Sequence, residues 1–394
     1  MSVTETPGGA LSARPLTYAA YTSFVPIGIA TVLLGPMLPT LSERWSLNYA
    51  QAGSLITTQY VASTCAVAVS GFVVSRWGYR FAIKLGLVVM AAGLALLLTG
   101  PKVIGMLCIA AYGTGIGLAV PAANLVVAES NPTRRSATLN LLNFFWSMGA
   151  VTCPFLVAAA TKTGHVVLFL MCVAGFSVAV AIGIALTPTT VESAAATNAG
   201  PILPLVRSKM LLLLILAALF FLYVGVENGF GAWIASYSTS LGTLTLAVAV
   251  ATPAFFYAAL TLGRWLAPML LRLASEIQLV QAGLLLACAG MGGLVFSRGL
   301  AGVVASACAA GFGLSYVYPI TISLLSKEFA SPRIGSFMFV LSNIGGGLFP
   351  WIVGVSSTRF GTLKVGLIVP FLGCAAMFAI YLGKWTRATG EQPS

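Results

Sequence analysis

The chain is nearly without acid. Its 394 residues include eight glutamates and no aspartate, and charged residues of both signs make up 7%. Soluble domains carry about 25% charged residues, so this chain cannot cover a water-facing surface. It has one histidine, His165, and seven cysteines (Cys65, Cys108, Cys153, Cys172, Cys288, Cys308, Cys374), with no CxxC or Cys/His spacing. All seven cysteines fall in apolar runs, which argues against both a metal site and a disulfide framework. No serine or cysteine stands with a histidine base on a plausible face, so nothing points to an enzyme.

What the chain has is apolar length. Hydrophobic residues make up 59% and the mean hydropathy is +0.99. Twelve runs, near 16–40, 49–74, 82–99, 103–129, 136–160, 165–187, 210–238, 245–271, 277–296, 300–328, 332–358 and 364–386, are of bilayer-crossing length as helix. The expected fold is an all-α membrane protein of twelve transmembrane helices. The polar N-terminal stretch lacks a basic start and a cleavage site, so the first run is expected to be retained.

The net charge of +12 could suggest nucleic acid, but its distribution reads as topology. With the N-terminus inside, cytoplasmic connections hold Arg14, Arg76, Arg80, Lys84, Arg134, Arg135, Arg207, Lys209, Arg272, Lys327, Arg333, Lys384 and Arg387. The opposite side holds Arg44, Lys102, Lys162, Arg298, Arg359 and Lys364. This bias follows the positive-inside rule and places both termini in the cytoplasm, in a bacterial inner membrane.

Only the connection around 188–209 is long, polar and small, and it reads as a linker. It separates an N-terminal half (1–187) from a C-terminal half (210–394). The halves align at an offset of 196 residues: Gly115, Gly117 and Gly149 meet Gly311, Gly313 and Gly345, while Pro154 meets Pro350 and Arg76 meets Arg272. Two parallel six-helix repeats imply a secondary transporter with its substrate site near the midplane and access alternating between sides.

The segment Gly71 to Arg80, GFVVSRWGYR, resembles the cytoplasmic signature of the major facilitator superfamily, Gly-x-x-x-Asp-Arg-x-Gly-x-Arg. Ser75 replaces the usual Asp, which removes the acid from that charge network. Pro121–Leu156, Tyr223–Tyr237 and Gly311–Lys327 are similar to the fucose–galactose–glucose:proton symporters and their sodium–glucose relatives. The resemblance implies the two-halved major facilitator fold, a monomer and a small neutral sugar as cargo. Where the group's proton carrier precedes the fourth-helix motif, this chain has Val120 and Pro121, so that coupling mechanism does not carry over.

Glu227 lies within LLLLILAALFFLYVGVENGFGAWIASY, residues 211–237, whereas the other glutamates lie in tails, connections or run ends. An intramembrane carboxyl group marks a substrate or ion pathway by default. Glu227 has three readings: a proton carrier, an acceptor for sugar hydroxyls, or a structural group paired with a polar neighbour. No cofactor is implied; the coupling ion is a proton, with sodium as the alternative. A sugar also needs amides, hydroxyls and aromatic planes. The candidates are Asn228, Asn143, Asn124, Asn343, Ser147, Gln59, Tyr60, Trp146, Trp233, Tyr257, Tyr316 and Tyr318. Interhelical glue and core packing are the competing readings for each. Arg76, Arg80, Arg264, Arg272, Glu129 and Glu328 are expected to form gating charges. Passive uniport, export of amphipathic compounds and a non-transporting sensor remain the rival functions.

Overall fold

In the computed structural model, residues 8–131, 135–186, 209–329 and 332–383 are described; the 188–209 linker lies outside them except for Lys209. The described residues are helical almost throughout, and each of the twelve apolar runs forms helix. The first run is α1 (Gly8–Val32) and α2 (Leu34–Trp45), bent by 44°. The second and third runs share α3 (Tyr49–Leu96); α4 (Lys102–Ser130), α5 (Arg135–Thr163) and α6 (Val166–Leu186) follow. Then come α7 (Met210–Gly231), α8 (Ile234–Ser240), α9 (Leu246–Ala251), α10 (Pro253–Leu270) and α11 (Glu276–Phe296). The last are α12 (Leu300–Leu314), α13 (Val317–Glu328), α14 (Pro332–Phe360), α15 (Leu363–Gly366) and α16 (Ile368–Tyr381).

Ten helices are long and apolar enough to cross a membrane, or eleven when α1 and α2 count as one span. At about 1.5 Å per residue, α3 is more than twice as long as one crossing requires. It breaks at Gly78, whose φ of 80° and ψ of 167° lie outside the helical region. A side chain there would be strained, so this glycine of the Gly71–Arg80 motif supplies a turn that other residues adopt poorly. Ser75 spends its hydroxyl on the Phe72 carbonyl, and Arg80 donates to the carbonyls of Ile184 and Ala185 at the end of α6. A cation at a helix C-terminus satisfies orphan acceptors and complements the helix dipole.

The described residues belong to two compact units, one drawn from 1–33, 61–153 and 163–197, the other from 34–60, 154–162 and 198–394. Residues 34–60 and 154–162, which precede the linker in sequence, thus pack within the second unit. Large side chains such as Phe296, Leu186, Leu273 and Trp265 stand exposed. In a chain with so little charge, such apolar surface is what lipid covers.

Close packing in each unit runs through glycine, because without a hydrophobic drive between helices, backbones must approach for dispersion to act. In the first unit a Cβ at Gly149 of α5 would strike the Val25 carbonyl of α1. In the second, a Cβ at Gly345 of α14 would strike the Phe221 carbonyl of α7. Both members of this contact obey the 196-residue offset. The third and fourth runs do not. Gly115 packs on the Gly86 carbonyl and Met90 nitrogen, and the matching contact is Gly313 on the Gly283 carbonyl and Ala287 nitrogen. The spatial equivalents there are 197 and 198 residues apart, so the gapless alignment slips in this region. Chance matches among closely spaced glycines conceal the slip in the sequence.

Gly345→Leu is expected to abolish folded, monodisperse protein on size exclusion, because the side chain would have to enter the backbone of α7. Gly335→Leu is the control on the same helix, where a Cβ would meet nothing within 4 Å. Equal yields of the two variants would remove the packing role assigned to Gly345.

Candidate functional site

Glu227 and Tyr223 stand four residues apart on α7 and so share one face of that helix. Tyr223 is 1% exposed, and its ring stacks on that of Tyr318 from α13, with centroids 5.1 Å apart at 28°. Phe220 meets Tyr318 edge-on. The two phenol rings are therefore held by aromatic packing, and their hydroxyl groups have fixed positions.

Arg264 enters this cluster from α10. Its Nη2 donates to the Tyr223 hydroxyl at 3.2 Å. Arg264, Tyr223 and Tyr318 all lie within the electrostatic reach of the Glu227 carboxylate. A single charge in this setting is costly, whereas a carboxylate and a guanidinium together sum to zero. Arg264 was expected among the gating charges; the structure places it here, at the carboxylate. Its long stem carries the guanidinium away from the helix end.

Asn228 lies about 100° around α7 from Glu227 and faces another neighbour. Its Oδ1 accepts from the Tyr60 hydroxyl of α3 at 2.7 Å, and its Nδ2 donates to the Val224 carbonyl at 2.9 Å. Tyr60 rests on the glycine triplet of α14. A Cβ at Gly346 would meet its ring, and Gly347 lies against its Cβ. Thr57 donates to the Gly347 carbonyl at 2.8 Å. The triplet thus serves two helices at once: Gly345 admits α7, while Gly346 and Gly347 admit α3.

The remaining candidates are distributed as follows. Trp233 is fully buried, its indole N–H donates to the Pro350 carbonyl at 3.1 Å, and Tyr49 packs edge-on against it. Gln59, Tyr257 and Tyr316 are buried, and Asn343 is half-buried on α14 beside Ser342. In the first unit, Asn124 and Asn143 donate to the Val120 and Leu139 carbonyls of their own helices, and Asn143 is exposed. Trp146 donates to the Thr31 hydroxyl at 3.4 Å, and Ser147 is buried. Thr31 is the repeat mate of Glu227.

The expected gating charges do not form one network. Glu328 pairs with Lys209 at 2.7 Å, and Glu129 accepts from the Tyr79 hydroxyl at 2.7 Å. Arg76 and Arg272 are exposed, and Arg80 caps α6. Among the described residues no group of three or more His, Cys, Asp or Glu side chains could hold a metal ion.

Of the sequence candidates, the structure brings together Glu227, Asn228, Arg264 and Tyr318. It adds Tyr223, which the sequence reading used only as the edge of a motif. The signal was available: a tyrosine four residues before the one mid-run glutamate lies on the same helix face.

Residues 20–350 match the family model of the Major Facilitator Superfamily. Among solved structures, the chain is similar to a D-xylose–proton symporter, with a TM-score of 0.76 and 15% identity over 94% of this chain and 96% of that one. It is also similar to a bacterial homolog of the human lysosomal transporter Spinster, inward-facing and unoccupied, with a TM-score of 0.74 and 15% identity over 96% and 97%. The E. coli fucose:proton symporter FucP gives a TM-score of 0.63 and 20% identity over 94% and 98%. At such identities the likeness concerns the fold. The mouse sodium-dependent glucose transporter 1A is 21% identical over 144 residues, 36% of this chain and 34% of its own length. The chain thus spans about a third of that curated relative. A family match over most of the chain, on an all-helical architecture shared with transporters, leads to one conclusion: this chain belongs to the Major Facilitator Superfamily and is a transport protein, not an enzyme.

Proposed function

We propose that this transporter moves a neutral, hexose-like sugar across a bacterial inner membrane by alternating access, coupled to protons through Glu227. It does so as a monomer of twelve crossings in two six-helix halves, with both termini in the cytoplasm. The observation that carries the reading is the pairing of neighbours on α7. Arg264, which donates to Tyr223 on the same face of α7, lies within electrostatic reach of Glu227 and balances its charge, and Asn228 presents an amide beside it.

Charge balance bears on the cargo. Arg264 lies within electrostatic reach of Glu227. An unmatched guanidinium there would favour an anion, but Glu227 cancels its charge. A polyhydroxylated neutral solute binds such a neutral, polar cluster without importing a charge that needs its own partner. Asn228 can donate to and accept from sugar hydroxyls once Tyr60 is exchanged for substrate. The sugar–proton symporters among the structural neighbours support the same cargo class.

Counterflow of labelled hexoses in proteoliposomes tests this. Wild-type protein is expected to exchange at least one hexose. Asn228→Ala is expected to raise KM about tenfold, which corresponds to about 1.4 kcal/mol of lost hydrogen bonding. If no hexose exchanges, the sugar reading is lost; if Asn228→Ala keeps the wild-type KM, Asn228 is not a contact.

A further inference from the structure

The first crossing of α3 carries an exposed apolar stripe that leads to an unpaired cation. Val61, Cys65, Val69, Phe72 and Arg76 all stand exposed. Their spacings of four, four, three and four residues put them on one face of the helix. From Val61 to Phe72 the helix rises about 16 Å at about 1.5 Å per residue, close to half of an apolar core about 30 Å thick. The apolar part of the stripe therefore runs the depth of one leaflet, and Arg76 follows where headgroups begin. Gly78 breaks the helix two residues later, so the chain turns at this boundary.

Three exposed aromatic side chains gather at the turn. Trp77, 53% exposed, meets Phe72 edge-on with ring centroids 6.1 Å apart, and Phe81 with centroids 5.5 Å apart. Such amphipathic rings settle at the level of the headgroups. Lys84 lies three residues beyond Phe81 and so shares its helix face. Among the described residues, Arg76, Lys84 and the Trp77 indole N–H form no ion pair or hydrogen bond. The other polar groups of the turn are committed. Arg80 donates to the Ile184 and Ala185 carbonyls, Ser75 to the Phe72 carbonyl, and Glu129 of α4 accepts from the Tyr79 hydroxyl at 2.7 Å. Arg76, Arg80 and Lys84 against Glu129 leave the turn positive.

We infer that this turn is a binding site for an anionic phospholipid. One acyl chain lies along the Val61–Phe72 stripe, the phosphate meets Arg76 and Lys84, and the Trp77 N–H donates to a headgroup or ester oxygen. Charge complementarity selects the headgroup. A zwitterionic lipid brings its own cation, for which the turn offers only Glu129, a carboxylate already engaged by Tyr79. An anionic lipid brings no such cation, and each basic residue at a membrane surface adds to its attraction. Arginine also offers phosphate a two-pronged contact that a point charge cannot. The lipid site is independent of cargo and of coupling.

Native mass spectrometry of the full-length protein, equilibrated with equal amounts of dioleoylphosphatidylglycerol and dioleoylphosphatidylethanolamine, tests the site. Wild type is expected to retain the anionic lipid about tenfold over the zwitterionic one. Arg76→Gln combined with Lys84→Gln is expected to bring that ratio to about one. Arg298→Gln, which removes another exposed cation, should keep the wild-type ratio. Inorganic phosphate in excess should not displace the lipid, because it has no chain for the stripe. Should the double variant not fold, Arg76→Gln alone is expected to lower the ratio about threefold. Equal retention of the two lipids by wild type, or an unchanged ratio in a folded variant, overturns the site. An equal loss in Arg298→Gln would mark attraction by overall charge and overturns it too, and displacement by phosphate overturns the role of the stripe.

Discussion

Glu227→Gln is expected to equilibrate hexose across a proteoliposome membrane without ever concentrating it. One proton per sugar across about one pH unit permits about tenfold accumulation, since each unit stores about 1.4 kcal/mol. Glutamine keeps the size and hydrogen-bonding capacity of protonated glutamic acid but cannot release a proton. The accumulation ratio should therefore fall to about one, while counterflow at equal pH, which needs no net proton movement, persists. Both rates are read from the same vesicles. Accumulation at the wild-type ratio would show that the proton travels elsewhere. Loss of counterflow as well as accumulation would make Glu227 a substrate contact first. Counterflow without gradient-driven accumulation in the wild type itself would mark a uniporter.

The second large effect concerns Arg264. Arg264→Gln leaves the Glu227 carboxylate in the apolar interior with Tyr223 but without a balancing charge. Breaking a buried pair by removing one partner costs about 3–5 kcal/mol, and here the loss is expected near the lower bound because Glu227 is only part-buried. The readout is thermal stability in detergent. Loss should be greater at alkaline pH, because at acid pH the stranded carboxyl group can neutralise itself by taking up a proton. Glu227→Gln combined with Arg264→Gln removes both charges and should recover most of the stability, giving a strongly non-additive double-mutant cycle. A stable Arg264→Gln protein, or a double variant no better than the single, would show that the two charges do not balance one another.

Much of the architecture was legible because it follows from solvent. A chain with 7% charged residues has to place its apolar runs in lipid, and lipid permits only backbones that satisfy their own hydrogen bonds. Each run accordingly forms helix. Glu227 was legible for the same reason: an acid in the middle of an apolar run contradicts its surroundings. The glycines of the repeat were legible as packing surfaces, but their partners were not. An offset of 196 holds for Val25–Gly149 and Phe221–Gly345 and fails by one or two residues for Gly86–Gly115 and Gly283–Gly313. One-dimensional alignment cannot see which carbonyl a missing Cβ makes room for.

The site was less legible. Arg264 looked like a gating charge because, counted along its own helix, it lies close to the cytoplasmic end. Distance along one helix says little about a guanidinium on a four-atom stem, and the structure directs it to Tyr223. Trp233 looked like a stacking platform, yet its N–H is spent on Pro350 and its surface is fully enclosed. An indole presents the same letters whether it faces a ligand or a neighbouring helix.

By itself the sequence determined the solvent, the helical class, the repeat and the one carboxylate that cannot be indifferent to its setting. These follow from composition and period, which are properties of the chain read in order. Tertiary structure alone decided what reaches this helix from elsewhere: the Arg264 guanidinium on the Tyr223 hydroxyl, and Tyr60 on the neighbouring asparagine. Those partners come from α3 and α10, far from α7 in the chain. Hydrogen bonds and charge balance depend on distances of a few ångströms in space, which residue order does not specify.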